Sequence, residues 1–169
     1  MNCLNQLHAD IDGRVSSIRD GHGDWLCRLG CDDCCRRLAD IPRLTEAEWD
    51  RLCAGLAALP PERLRQIGQA IARLDQHPSR PLVCPLLDLS ARACQVYAHR
   101  PVACRTYGFY VQRGQGLYCK AIEARVAAGE WAEVVWGNQD AIDRRLGALG
   151  ESRELTEWFR YWQRAGDLV

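Results

Sequence analysis

The chain has 169 residues, 47% of them apolar and 26% charged, and its 22 basic and 22 acidic side chains cancel. This length suffices for a buried core in one domain, and the balanced charge creates no global field to recruit nucleic acid or anionic lipid. No apolar run approaches a membrane span, and the first twelve residues lack the segments of a secretory signal, so the expected compartment is the cytoplasm, where thiols stay reduced.

Leu4, Leu7, Ile11, Val15 and Ile18 draw a helical stripe through residues 1–19, which Gly21-His22-Gly23 ends. Residues 25–35 have no period and predict a loop leading into a short helical turn. Thr45 and Glu48 have capping-box spacing and open a helix along Trp49, Leu52, Cys53, Leu56 and Leu59. Pro60-Pro61 stops it, and a second helix along Leu64, Ile67, Ile71 and Leu74 ends before Pro78. The short connection predicts an antiparallel hairpin of these two helices.

Prolines 78, 81, 85 and 101 then break up residues 78–119. Short extended pieces are expected at 82–87 and 93–97, and 109–111 is expected to fold back on 117–119 around Gly114 and Gly116. Arg100-Pro101 is placed to start a short helix carrying Cys104. Helical pattern resumes at 119–128 and continues through Trp131, Val134, Val135, Ile142, Leu146 and Leu149. A last helix carries Leu155, Trp158, Phe159 and Trp162. The expected fold is mainly α: a single small helical domain over 1–169 with an irregular cysteine-rich centre, short β-hairpins, and flanking helices at 1–19 and 120–166.

Ten cysteines are the anomaly. Disulfide frameworks suit small secreted chains without a core, whereas clustered cysteines in a reducing compartment point to metal. Eight fall into two groups: Cys27, Cys31, Cys34 and Cys35, then Cys84, Cys94, Cys104 and Cys119. Thiolates bind zinc or iron, the latter also as an iron–sulfur cluster, and all eight are candidate ligands. Side chains of neighbouring residues usually diverge, so the pair Cys34-Cys35 suggests two metal positions or a polynuclear centre. Arg28, Arg36, Arg37, Arg100 and Arg105 lie in or near the motifs and could offset thiolate charge. Cys53 falls on an apolar helical face and Cys3 near the terminus, and neither is assigned to the site. Of the histidines His8, His22, His77 and His99, His99 lies closest in sequence to the second group, and none is assigned as a ligand.

The run CRLGCDDCC, followed by CPLLDLSARACQVYAHRPVACRTYGFY, resembles the YkgJ-type cysteine-cluster family, a domain described as zinc- or iron-chelating. The matching elements are Cys34-Cys35, Cys84-Pro85-Leu86, Cys94-Gln95-Val96-Tyr97, and Arg100-Pro101 with Cys104, Arg105 and Tyr107. The resemblance covers about residues 25–119; the first cysteine gap is three residues here, where the shortest family form has two. It implies metal chelation, with metal ions as the partners; hydropathy and charge give no membrane or clear nucleic-acid signal. A flagellin lysine methylase is similar in its cysteine cluster. Two alternatives to a simple binding protein therefore stand: an iron–sulfur-dependent, protein-methylase-like modification enzyme, and a thiol redox switch. The spacing Cys27-x3-Cys31-x2-Cys34 matches radical S-adenosylmethionine chemistry, but the chain is too short for the usual barrel. Asp32-Asp33 is expected to be a polar turn rather than a catalytic pair.

Overall fold

The capping signature at Thr45 marks where the chain changes from strand to helix, and the computed structural model shows how. The Glu48 carboxylate accepts hydrogen bonds from the Thr45 backbone N–H at 2.8 Å and its hydroxyl at 2.9 Å. The structure describes residues 3–76 and 79–165. His77, one of the chain's histidines, Pro78, expected to follow a helix end, and residue 166, the expected end of the last helix, lie outside the described residues.

In chain order the elements are α1 (Cys3–Gly21), α2 (Asp33–Arg36), β1 (Arg43–Thr45), α3 (Glu46–Ala57), α4 (Pro61–Gln76), β2 (Leu87–Asp88) and β3 (Ala93–Cys94). A 3-10 turn at Tyr97–His99 leads to α5 (Val102–Thr106), β4 (Tyr110–Gln112), β5 (Gln115–Leu117) and α6 (Lys120–Ala127). The chain closes with β6 (Gly137–Asn138), α7 (Gln139–Gly147), β7 (Ser152–Glu154) and α8 (Leu155–Ala165). The fold is mainly α with short strands, as the apolar periodicity predicts. Among the described residues no helix is long and apolar enough to cross a membrane.

These elements form two compact units, one from residues 1–31 and 102–149, the other from 32–101 and 150–169. In the first unit, Leu4, Leu7, Ile11, Val15 and Ile18 form the buried stripe of α1, which packs on α5 and α7. Strand β4 is central to its sheet, antiparallel to β5 and parallel to β6. Residues 131–135, expected to be helical, are not. Gly129 at φ 79° follows the end of α6, and Trp131 takes a left-handed φ of 61°. That turn lays Trp131 against the buried Trp25, ring centroids 4.4 Å apart. Trp136 at 5.5 Å and Phe109 at 5.7 Å complete the group around Trp25, so aromatic packing overrides local helical preference here.

In the second unit β1 and β7 pair antiparallel, with Leu44 opposite Arg153, and run directly into α3 and α8. The core joins Leu44, Trp49, Leu52, Leu56, Ile67, Ile71, Leu86, Val96, Leu155 and Phe159. Helix α4 takes α8 as its main neighbour, while α3 packs on β1 and the 3-10 turn. The α3–α4 hairpin expected from the short connection is therefore not the dominant packing. The reason lies at Gly68, where a Cβ would come within 2.9 Å of the Phe159 ring: the missing side chain lets α8 settle onto α4.

A glycine also fixes the β4–β6 pair, since a Cβ at Gly137 would lie 2.3 Å from the Tyr110 ring. Gly137→Ala should destabilise the protein by about 1–3 kcal/mol, the usual cost of overpacking. Thermal unfolding measures this, and an unchanged midpoint would contradict the contact.

Candidate metal centre

The one-turn helix α2 presents Cys34 and Cys35 together. Their sulfurs do not diverge; they lie 4.0 Å apart. Metal–sulfur bonds of roughly 2.3 Å in a tetrahedron put sulfurs about 3.8 Å apart, so the adjacent pair fits one ion. The chain then returns beside them: Leu38 and Leu82 exchange backbone hydrogen bonds at 2.8 and 2.9 Å, and the Cys84 N–H donates to the Cys35 carbonyl at 2.7 Å. Cys84 precedes β2, and Cys94 ends β3 opposite Leu87. Hydrogen bonding also links the Cys35 and Cys84 side chains, and the charges of Cys84 and Cys94 both bear on Cys35. All four cysteines are half-buried, and Cys84 and Cys94 pack against the hydrophobic core.

Three polar side chains hold this arrangement: Asp88, Arg92 and Asp32. Asp88 Oδ1 closes the β2–β3 turn by accepting from Ser90 N at 2.9 Å, Ser90 Oγ at 2.6 Å and Ala91 N at 3.0 Å. Its other oxygen takes Arg63 at 3.0 Å. Arg92, in the same turn at a left-handed φ of 53°, reaches Asp32 at 3.1 Å. Asp32 is buried and also holds Arg36 at 2.6 Å, so it ties α2 to the hairpin carrying Cys94. Asp32 is thus a buried structural clasp at the start of α2, whose first residue is Asp33, so the pair opens a helix where a polar turn was expected. A D-x-S sequence after a cysteine-proline pair suggests a turn, but the Arg92–Asp32 pairing spans 60 positions and has no local pattern.

The electrostatics set one demand. Cys34 is pushed well above the ordinary thiol range by its hydrogen bond with Cys35, then by burial and the neighbouring charge. For Cys35 the bond with Cys34 lowers the pKa, but the Cys84 bond, burial and like charges carry it up to about 12. Burial raises Cys94, while the Val96 backbone N–H and the Arg100 charge pull the other way. Without a counter-charge Cys34, Cys35 and Cys94 favour their neutral thiols, and two backbone N–H groups, of Cys35 and Val96, face Cys34 and Cys94. The donor set fits a thiophilic metal. Among the described residues, however, no three His, Cys, Asp or Glu side chains are drawn together as a finished metal cage.

The first unit holds the other four cysteines. The Cys27 thiol donates to the Tyr107 carbonyl at 3.7 Å, and its sulfur would touch a Cβ at Gly108, which is glycine at φ 91°. Cys104 lies in α5, three residues before Tyr107, and the Gly108 N–H bonds the Leu117 carbonyl at 2.7 Å, two residues before Cys119. Cys119 stands at the N-cap of α6. Cys31 closes the turn from Arg28 and is exposed. Cys27 thus packs on the Tyr107–Gly108 bend, which follows Cys104 in the chain and pairs with the segment leading to Cys119. Arg105 is buried and holds Asp12 of α1 with two contacts of 3.0 and 3.1 Å, which anchors α5.

The remaining candidates lie elsewhere. Cys53 is half-buried against the core and Cys3 is exposed on α1. His99 contacts the Arg51 carbonyl at 3.0 Å and packs on Gly55 of α3, a structural role. His22 packs beside Trp25 and Trp131, and His8 is buried in α1.

A family model headed CxxCxxCC, with the description "Putative zinc- or iron-chelating domain", matches residues 26–133. The chain belongs to this CxxCxxCC family. The match contains all eight candidate cysteines and extends past the expected limit of residue 119 through α6 to the Trp131 turn. No curated protein and no solved structure matches the chain.

Hydrogen bonds, first to Ser90, hold the Asp88 carboxyl down at about 2. A depressed carboxyl contributes stability that is complete above the ordinary value of about 3.9 and is lost as pH falls through its folded pKa. The Asp88 carboxyl signal should therefore titrate near 2 in a carbon-13 NMR experiment. An ordinary aspartate midpoint would contradict the turn.

Proposed function

We propose that the protein chelates zinc or iron at two four-thiolate centres, one in each unit. Cys34, Cys35, Cys84 and Cys94 form one ligand set; Cys27, Cys31, Cys104 and Cys119 form the other. The observation that carries this reading is the 4.0 Å approach of Cys34 and Cys35, with Cys84 hydrogen-bonded to the Cys35 backbone, in the unit that excludes the other four. A four-thiolate site is closed, which suits binding and fold organisation rather than an open catalytic position. Zinc would supply a structural cation there, and an iron–sulfur cluster would use the same ligands.

The alternatives gain less support. A three-cysteine cluster on Cys27, Cys31 and Cys34 would draw Cys34 away from Cys35, its neighbour at 4.0 Å. A redox switch needs thiols of lowered pKa, whereas Cys34, Cys35 and Cys94 are shifted upward. The protein is accordingly proposed to be a cytoplasmic metal-binding protein that folds around its metals.

Anaerobic purification followed by elemental analysis tests this. Two centres should be found, one lost in Cys34→Ser and the other in Cys104→Ser, each with a lower unfolding temperature because metal binding and folding are coupled. Cys53→Ser should keep both. Equal metal loss in all three variants would overturn the division, and a metal-free wild type would overturn the function. Colourless protein with zinc, or brown protein with iron and acid-labile sulfide, identifies the metal.

A further inference from the structure

Helix α8 has two faces of different chemistry. Leu155 and Phe159 lie in the core, and Trp158 and Trp162 pack against it. The Trp158 ring stacks 6.2 Å from Trp49, and its indole N–H donates to the Leu44 carbonyl at 2.8 Å, so this side of the helix is fixed. On the other face Glu157, Arg160, Tyr161 and Arg164 share one side of the helix and line an open hollow of about 140 Å³. Tyr161 is 53% exposed there, and Arg160 and Arg164 are exposed beside it.

The acidic groups at this end of the helix are already engaged. Glu157 Oε2 accepts from the Glu154 N–H at 2.9 Å, closing the start of α8, and Glu154 faces Arg43 at 3.9 Å. Two of the arginines have no such partner. Arg153 lies 5.4 Å from the Trp158 ring centroid and 5.2 Å from that of Tyr161, and among the described residues neither it nor Arg164 pairs with a carboxylate. Arg160 donates from Nε to the Thr156 carbonyl at 3.3 Å, which lays its stem along the helix. The outcome is a basic, aromatic surface on a chain whose net charge is zero.

Arginine and tyrosine are prominent among the residues that anchor protein interfaces, and a guanidinium fork matches a carboxylate. The hollow accommodates the end of a side chain rather than a run of nucleotides. Glu157 in its wall opposes a continuous row of phosphates, and the balanced charge of the chain supplies no wider attraction for one. We propose that this face of α8 is a docking surface for an acidic segment of a partner protein, with Arg153, Arg160 and Arg164 taking its carboxylates and Tyr161 packing on its apolar side chains. None of these residues is a candidate metal ligand, so the surface gives the chain a partner other than its metals.

Fluorescence anisotropy of the full chain with a short labelled peptide that mixes glutamate with leucine tests this. Binding should weaken as salt is raised, and Arg160→Glu combined with Arg164→Glu should lower the affinity by at least about tenfold. Tyr161→Ala should lower it by about tenfold as well. Arg37→Glu combined with Arg144→Glu changes the net charge equally but lies outside α8, and should leave the affinity as it was. Because the altered side chains are exposed, every variant should keep the parent circular dichroism. The proposal is overturned if the peptide does not bind, if both double variants lose affinity equally, or if a glutamine-leucine peptide binds as tightly. An oligothymidylate of equal charge that binds more tightly than the peptide, and is lost with the α8 variants, would overturn it in favour of single-stranded nucleic acid.

Discussion

The repulsion that would arise among half-buried sulfurs once ionised is the constraint on which the proposed centre of the second unit turns. Backbone hydrogen bonds bring Cys84 beside Cys35, Cys34 and Cys35 lie 4.0 Å apart, and burial opposes the ionisation of Cys34, Cys35 and Cys94. A cation turns the same repulsion into ligation. The proposed function follows from that change of sign rather than from the number of cysteines.

The surroundings read as a frame for these sulfurs. Asp88 shapes the turn between β2 and β3, while Asp32 ties that turn to α2 through Arg92 and Arg36. His99 and Gly55 lock the following turn onto α3, whose capping box and apolar face join it to the core. Every cysteine segment of this unit is thus tied down by at least one contact that does not involve a sulfur. In the first unit Arg105 and the Trp25 aromatic group do the corresponding work around α5 and the Cys27 loop.

Much of the fold was legible because it is written in local periodicity. The stripe of α1, the capped start of α3, the proline-started α5 and the β4–β5 turn at Gly114 all have short-range signals, and the structure contains each of them. What escaped depends on partners far away in sequence. Trp131 leaves the helical pattern to stack on Trp25, α4 chooses α8 over its sequence neighbour, and β1 pairs with β7 across 109 positions. The eight cysteines were legible as candidates from type and spacing. Their division was not, since the close first group splits between Cys31 and Asp32. Nor was the mutual approach of Cys34 and Cys35, where a short helical turn holds two adjacent side chains near one point.

Membership of the CxxCxxCC family, described as a zinc- or iron-chelating domain, places chelation at the centre of any account, and the proposed function puts it on the thiols. X-ray absorption at the edge of the bound metal tests that claim most directly. The account predicts a first shell made of sulfur alone, at roughly 2.3 Å from the metal, with four sulfurs around each metal atom. A shell containing nitrogen or oxygen ligands, or fewer sulfurs than four, would contradict it.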